Sequence, residues 1–166
     1  MKTKVIIPLV ILICAILAVT YYFFYSANKT KTISCESKLY FKFYVPKPEV
    51  VANYNVIINL KGDSDKDDGR GKLSITANFY DGKNTYYIRR DIIVSYQVDN
   101  KGLYFFKTLY INKYARDTIP ENIEERLVPD VFSKINSLSG YTIRPAGKQG
   151  YFVYETDIPV FYCNRL

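Results

Sequence analysis

The sequence predicts a mainly β domain of about eight antiparallel strands behind one N-terminal membrane helix. Three observations carry this. After residue 38 apolar and polar residues alternate with period two over most of the chain, the mark of strands with one wet face. Aromatic residues make up 16% of the 166, as 17 Tyr and 10 Phe without Trp, and both types suit a pleated surface. Val5 to Tyr25, read VIIPLVILICAILAVTYYFFY, carries no charge and is long enough for one bilayer span. Eight strands with one apolar face close into a small barrel that holds side chains or one small ligand. Two packed sheets are the alternative.

The anchor comes first. A single span in lipid must be helical, because every backbone group has to be satisfied internally. Pro8 falls in the first turn, where its missing N–H costs least. The Tyr21-Tyr-Phe-Phe-Tyr25 cluster suits a membrane interface. A cleaved signal peptide is the rival, but neither Ala18-Val-Thr20 nor Tyr25-Ser-Ala27 offers a good cleavage site. The organisation read here is residues 1–25 as cytoplasmic tip and span, 26–34 as tether and 35–166 as the β domain.

The strands follow. In 38–45, Leu39, Phe41, Phe43 and Val45 alternate with Lys38, Tyr40, Lys42 and Tyr44, and Pro46 and Pro48 stop the run. In 50–60, Val50, Ala52, Tyr54, Val56, Ile58 and Leu60 face inward. Residues 61–71 (KGDSDKDDGRG) read as a charged turn. Asp63, Asp65 and Asp67 resemble the start of a calcium loop, but the sixth and twelfth positions are Asp68 and Ser74 where Gly and Glu are needed, so no metal is expected. Leu73, Ile75, Ala77 and Phe79 face inward in 72–80, and Asp81-Gly-Lys-Asn84 makes a hairpin. The longest strand, 85–98, turns alternate residues inward from Tyr86 to Val98, with one charge among them, Arg90. Residues 99–102 turn the chain into a Tyr- and Phe-rich strand, 103–112.

Between Pro120 and Ser139 the period changes to helical. Pro120 to Leu127 and Asp130 to Asn136 read as short helices split by Pro129, with Ile123, Leu127, Val131 and Ile135 as a core stripe. Strands over 141–144, 150–155 and 160–163 close the chain.

Composition excludes several functions. Histidine is absent, which removes Ser-His and Cys-His nucleophile pairs and His-ligated zinc. There is no Gly-rich phosphate loop and no nucleophile elbow, so no enzyme and no cofactor are expected. Net charge is +7, but the basic residues are scattered, which argues against nucleic acid. Cys14 lies in the hydrophobic run, while Cys35 and Cys163 bracket the β domain. A bond between these two would tie the first strand to the last in an oxidising compartment. Two free thiols are the other reading. The bond would require an extracytoplasmic domain and an N-terminus inside, which Lys2 and Lys4 favour.

The anchor, a cysteine soon after it, Arg-Asp-Ile-Ile-Val-Ser-Tyr at 90–96 and Ile-Pro-Val-Phe-Tyr-Cys at 158–163 together resemble the FidL-like family of enterobacterial inner-membrane proteins. Within it the chain is most similar to the PsaF/MyfF type, which are fimbrial regulatory proteins. Members accompany a membrane-spanning winged-helix transcription factor, as ToxS accompanies ToxR and VtrC accompanies VtrA. The resemblance implies a lipocalin-like periplasmic barrel, completed or stabilised by the periplasmic domain of that partner. In the VtrC relative the barrel takes up a bile salt.

The expected function is therefore a co-sensor in the inner membrane that stabilises a ToxR-like regulator of virulence genes. A free-standing tethered carrier of apolar ligands is the alternative. Arg90, with Tyr86, Tyr96 and Phe105, forms the candidate ligand set, and Arg90 is also a candidate partner for a buried carboxylate. Its other reading is a side chain snorkelling to the rim. The resemblance also implies a response to acid. Without histidine, protons would be sensed by carboxylates of raised pKa, and Asp63, Asp65, Asp67, Asp68, Glu124 and Glu125 are the candidates.

Overall fold

The computed structural model describes residues 13–21, 32–44, 49–62 and 68–166, the side chain of Asp68 excepted. It divides into two compact units, Met1–Lys31 and Thr32–Leu166. In the first, residues 13–21 form a helix, α1. Among the described residues no helix is long and apolar enough to cross a membrane. The remainder of the Val5–Tyr25 span, and residues 26–31 of the tether, lie outside the described residues.

The second unit is an eight-stranded antiparallel barrel closed in sequence order. Its strands are β1 (Ile33–Phe43), β2 (Val50–Gly62), β3 (Asp68–Tyr80), β4 (Thr85–Val98), β5 (Leu103–Lys113), β6 (Leu138–Ala146), β7 (Gly150–Glu155) and β8 (Ile158–Arg165). The two-sheet sandwich is thereby set aside, because β1 pairs with β8. The inward sets of β2, β3 and β4 match the alternation of the sequence, with Ala52, Leu60, Phe79, Ile92 and Val94 fully buried.

Several features differ from the sequence reading, and β6 (Leu138–Ala146) and β8 (Ile158–Arg165) both run longer than expected. β1 begins at Ile33, inside the expected tether, because Ile33 and Cys35 continue the inward alternation and pair with Leu60 and Ile58. β2 and β3 extend into the charged turn, leaving 63–67 between them and outside the described residues. β5 carries a bulge. Val94 opposes Thr108 and Ile93 opposes Tyr110, so Leu109 is the extra residue. The bulge resets the alternation so that both Thr108 and Ile111 turn inward, a shift no period-two pattern reveals.

Between β5 and β6 stand α2 (Glu121–Leu127) and α3 (Asp130–Ser133). Pro120 and Pro129 are their N-cap residues, one position ahead of the first helical turn. Leu127, Val128 and Val131 are buried. Ile135 is 56% exposed and not core, because α3 ends at Ser133 and the helical stripe ends with it. Side chains of the barrel fix this insert through its carbonyls. The Tyr54 hydroxyl donates to the Leu127 oxygen at 2.9 Å, and the Thr108 hydroxyl to the Val131 oxygen at 3.0 Å.

The closing seam is short. Only Cys35–Arg165 and Glu36–Asn164 stand in register between β1 and β8. The Leu166 N–H donates to the Ser34 oxygen, and the Ser37 hydroxyl to the Tyr162 oxygen at 2.7 Å. The Cys35–Cys163 disulfide crosses the same place. Gly150 lets β7 lie against β8 here. A Cβ at that position would collide with the Cys163 carbonyl oxygen.

Candidate functional site

Beyond Glu36 the two seam strands part, and this divergence makes the site. Strand geometry turns the backbone groups of alternate residues to alternate neighbours. Ser34 points its carbonyl at β8, so the same side of β1 carries the backbone groups of Lys38, Tyr40 and Lys42. These three have no β8 partner in register. Among the described residues the edge is thus a row of strand donors and acceptors without a neighbouring strand.

Behind the parted edge lies an apolar cavity of about 270 Å³. β1 lines it with Leu39, Phe41 and Phe43, which are only half buried. Tyr54, Val56 and Ile58 of the neighbouring β2 continue that wall. The helical insert adds Leu127, Val131 and Phe132, and the closing strands add Ile143, Val153 and Phe161. Among the described residues the one carboxyl in the lining is Glu155 at the end of β7. Burial, together with the negative charge of Glu155, pushes the Tyr141 hydroxyl beside it up to about 12. Burial also raises Tyr54, whose proton is committed to the Leu127 carbonyl. The cavity therefore offers an apolar body, two protonated tyrosines and one carboxylate. Among the described residues it has no nucleophile with a base, and no group of side chains is arranged to hold a metal.

Arg90 does pair with buried carboxylates and does not snorkel to the rim. Its side chain is fully buried. Nε and Nη2 donate to the two oxygens of Asp117 at 2.6 and 3.0 Å, and Nη1 and Nη2 to Glu124 at 2.7 and 2.9 Å. Nη1 also donates to the Phe132 carbonyl at 3.1 Å. Lys113 approaches Glu124 from the outside at 3.1 Å. The guanidinium fork is thus filled by the protein itself, and Arg90 lies outside the cavity lining.

The other expected ligand residues also stand elsewhere. Tyr86 sits at the β3–β4 turn and donates its hydroxyl to Asp81 at 3.1 Å. Tyr96 is buried beside Tyr104 and Phe106, ring centroids 5.7 and 6.0 Å away. Phe105 is on the outer face, half exposed, while its neighbour Phe106 reaches the cavity.

Of the acid-sensing candidates, Asp63, Asp65 and Asp67 lie outside the described residues, and Asp68 opens β3. Glu125 is exposed. Glu124 goes the opposite way from the expectation. Burial works to raise it, but hydrogen bonds from Arg90 and Lys113 outweigh that and hold its carboxyl below the usual range.

Sequence reading missed Asp117 and Glu155. Asp117 falls in the 114–120 connection, which has no periodicity. Its signal was indirect, since an arginine on an inward face demands a carboxylate from somewhere. Glu155 ends a strand on a turn, where a charge is ordinary.

No curated protein and no solved structure matches the chain. The family model of the YqeJ C-terminal domain matches residues 49–163, from just before β2 to the second half of the disulfide. That stretch is more than half of the chain, which therefore belongs to the YqeJ C-terminal domain family.

Proposed function

We propose that this protein is a non-enzymatic co-sensor, held at the bacterial inner membrane by residues 1–25 with its barrel in the periplasm. There it stabilises a membrane-spanning winged-helix transcription factor of virulence or fimbrial genes. The observation that carries the reading is the parted β1–β8 seam over an apolar cavity. A strand from the periplasmic domain of the partner adds to the free edge of β1 and covers Leu39, Phe41 and Phe43. Main-chain bonds give the affinity and alternate apolar side chains entering the cavity give the register. The disulfide supports an oxidising compartment. The closed eight-stranded barrel supports the lipocalin-like architecture, and the layout of anchor, cysteines and end motifs supports the FidL-like resemblance. Shared anchoring in one membrane raises the effective concentration of the two domains. A small apolar ligand in the cavity would tune the contact.

The test is production of the chain alone and together with a membrane-spanning winged-helix protein from the same genome. Alone it is expected to accumulate in cells at a lower level than with the partner; together the two should co-elute from solubilised membranes. Tyr40→Pro removes one seam-facing N–H at an exposed edge position, where proline is tolerated. It is expected to leave the barrel folded and cut co-elution at least ~10-fold, about 1.4 kcal/mol. A chain that accumulates equally well without the partner, and whose co-elution Tyr40→Pro leaves unchanged, would put the free-standing carrier in place of the co-sensor.

A further inference from the structure

We propose that the cavity selects a small amphiphile with a compact apolar body and a cationic end, an ammonium seated at Glu155. This rests on reading the cavity as a ligand site and adds the class of ligand. The first ground is the lining. Among the described residues, apart from Glu155 it is built from aliphatic, aromatic and proline side chains, and no Lys or Arg enters it. The hydroxyl of Tyr54 is already spent on the Leu127 carbonyl, so it offers no donor to an anion. A ligand therefore meets one charge at its polar end, and that charge is negative.

The second ground is what lies outside. A surface depression shares Pro129, Tyr141 and Glu155 with the cavity. On it Asp99, Asp130 and Asp157 join Glu155 against Lys101 and Arg144. Asp130 is paired with Lys134 and Asp157 loosely with Arg144, whereas Glu155 is paired with no cation among the described residues. In a chain of net charge +7, a mouth where carboxylates outnumber cations is a local reversal of sign. It repels carboxylate amphiphiles and concentrates cations. Tyr141 agrees, since its neighbour's negative charge adds to burial in keeping its proton on. A bile-salt anion is accordingly the wrong sign for this site.

The experiment uses the full chain in phosphatidylcholine nanodiscs and two probes with one apolar body, 1-adamantylammonium and adamantane-1-carboxylate. The chain has no tryptophan, so Phe43→Trp at the cavity wall places a single reporter whose emission follows occupancy. The ammonium is expected to bind at least ~5-fold tighter than the carboxylate at low salt, a preference that shrinks at high salt. Glu155→Gln, at an exposed position that does not disturb the fold, is expected to bring the two within about 2-fold. Equal or tighter binding of the carboxylate to the unsubstituted site overturns the charge rule and leaves the cavity as a ligand site. So does a preference that Glu155→Gln leaves intact. No response to either probe overturns the ligand site itself, and the seam co-elution result stands or falls separately.

Discussion

Replacing Cys35 and Cys163 together by serine is expected to destabilise the barrel by about 4–5 kcal/mol, on the chain-entropy account of a cross-link this long. The two cysteines are 128 residues apart, so the bond removes nearly the largest loop entropy the domain can offer. Its place in the fold makes the loss concrete. The β1–β8 seam has two residue pairs in register, while β1 and β2 share a ladder of eleven positions from Ile33–Leu60 to Phe43–Val50. Main-chain pairing alone therefore holds the first and last strands weakly, and the disulfide stands where the pairing is thinnest. Urea unfolding of the full chain with and without reductant checks it. The oxidised protein should unfold at a midpoint well above the reduced one, and Cys14→Ser should change nothing, since Cys14 is a free thiol outside the barrel. Coincident midpoints would mean that closure comes from the strands themselves.

The same feature shows what the sequence could and could not disclose. Strand alternation was legible because each strand has one wet face, and the inward sets of β2, β3 and β4 follow from residue type alone. The pairing of Cys35 with Cys163 was legible from position, since two cysteines at the ends of a meander meet when it closes. The bulge at Leu109 was not, because it depends on how β5 must curve to keep Thr108 under α3 and Ile111 inside. The open part of the seam was not either. Leu39, Phe41 and Phe43 have the alternation of an ordinary buried strand, and only the parting of β8 from β1 leaves them half exposed. For Arg90 the sequence marked the right residue and offered a buried carboxylate as one partner beside a ligand, without saying where in the chain that carboxylate stands. Its partners are far along the chain, in a connection and a short helix with no pattern pointing back to β4.

Arg90→Ala is expected to cost about 3–5 kcal/mol, against under 1 kcal/mol for Arg89→Ala, because removing one member of a buried ionic group strands the others. The Asp117 and Glu124 side chains are 4% and 12% exposed, so each would face burial without its main counter-charge. Arg89 lies on the outer face over the ring of Tyr114, where loss of one exposed contact matters little. Arg90 also ties β4 to α2 and to the Phe132 carbonyl, so the helical insert should loosen first and the Phe132 side of the cavity with it. Combining Arg90→Met with Asp117→Asn and Glu124→Gln should recover part of the loss, as neutral groups of similar size tolerate burial better. Chemical unfolding of the four proteins decides this; equal losses for the two single arginine variants would remove the network from the account of stability. The pH dependence has a definite sign. The Glu124 carboxyl is held below its ordinary 4.5, so its stabilisation is present above that value and fades as pH falls through the lower folded one. Stability should stay level from neutral pH to about 5 and drop only below about 4.5. In Arg90→Ala that acid limb should weaken, since the main cause of the depressed pKa is gone. Mildly acid conditions therefore leave this network locked, and any response of the protein between pH 5 and 7 has to come from groups other than Arg90, Glu124 and the absent histidines.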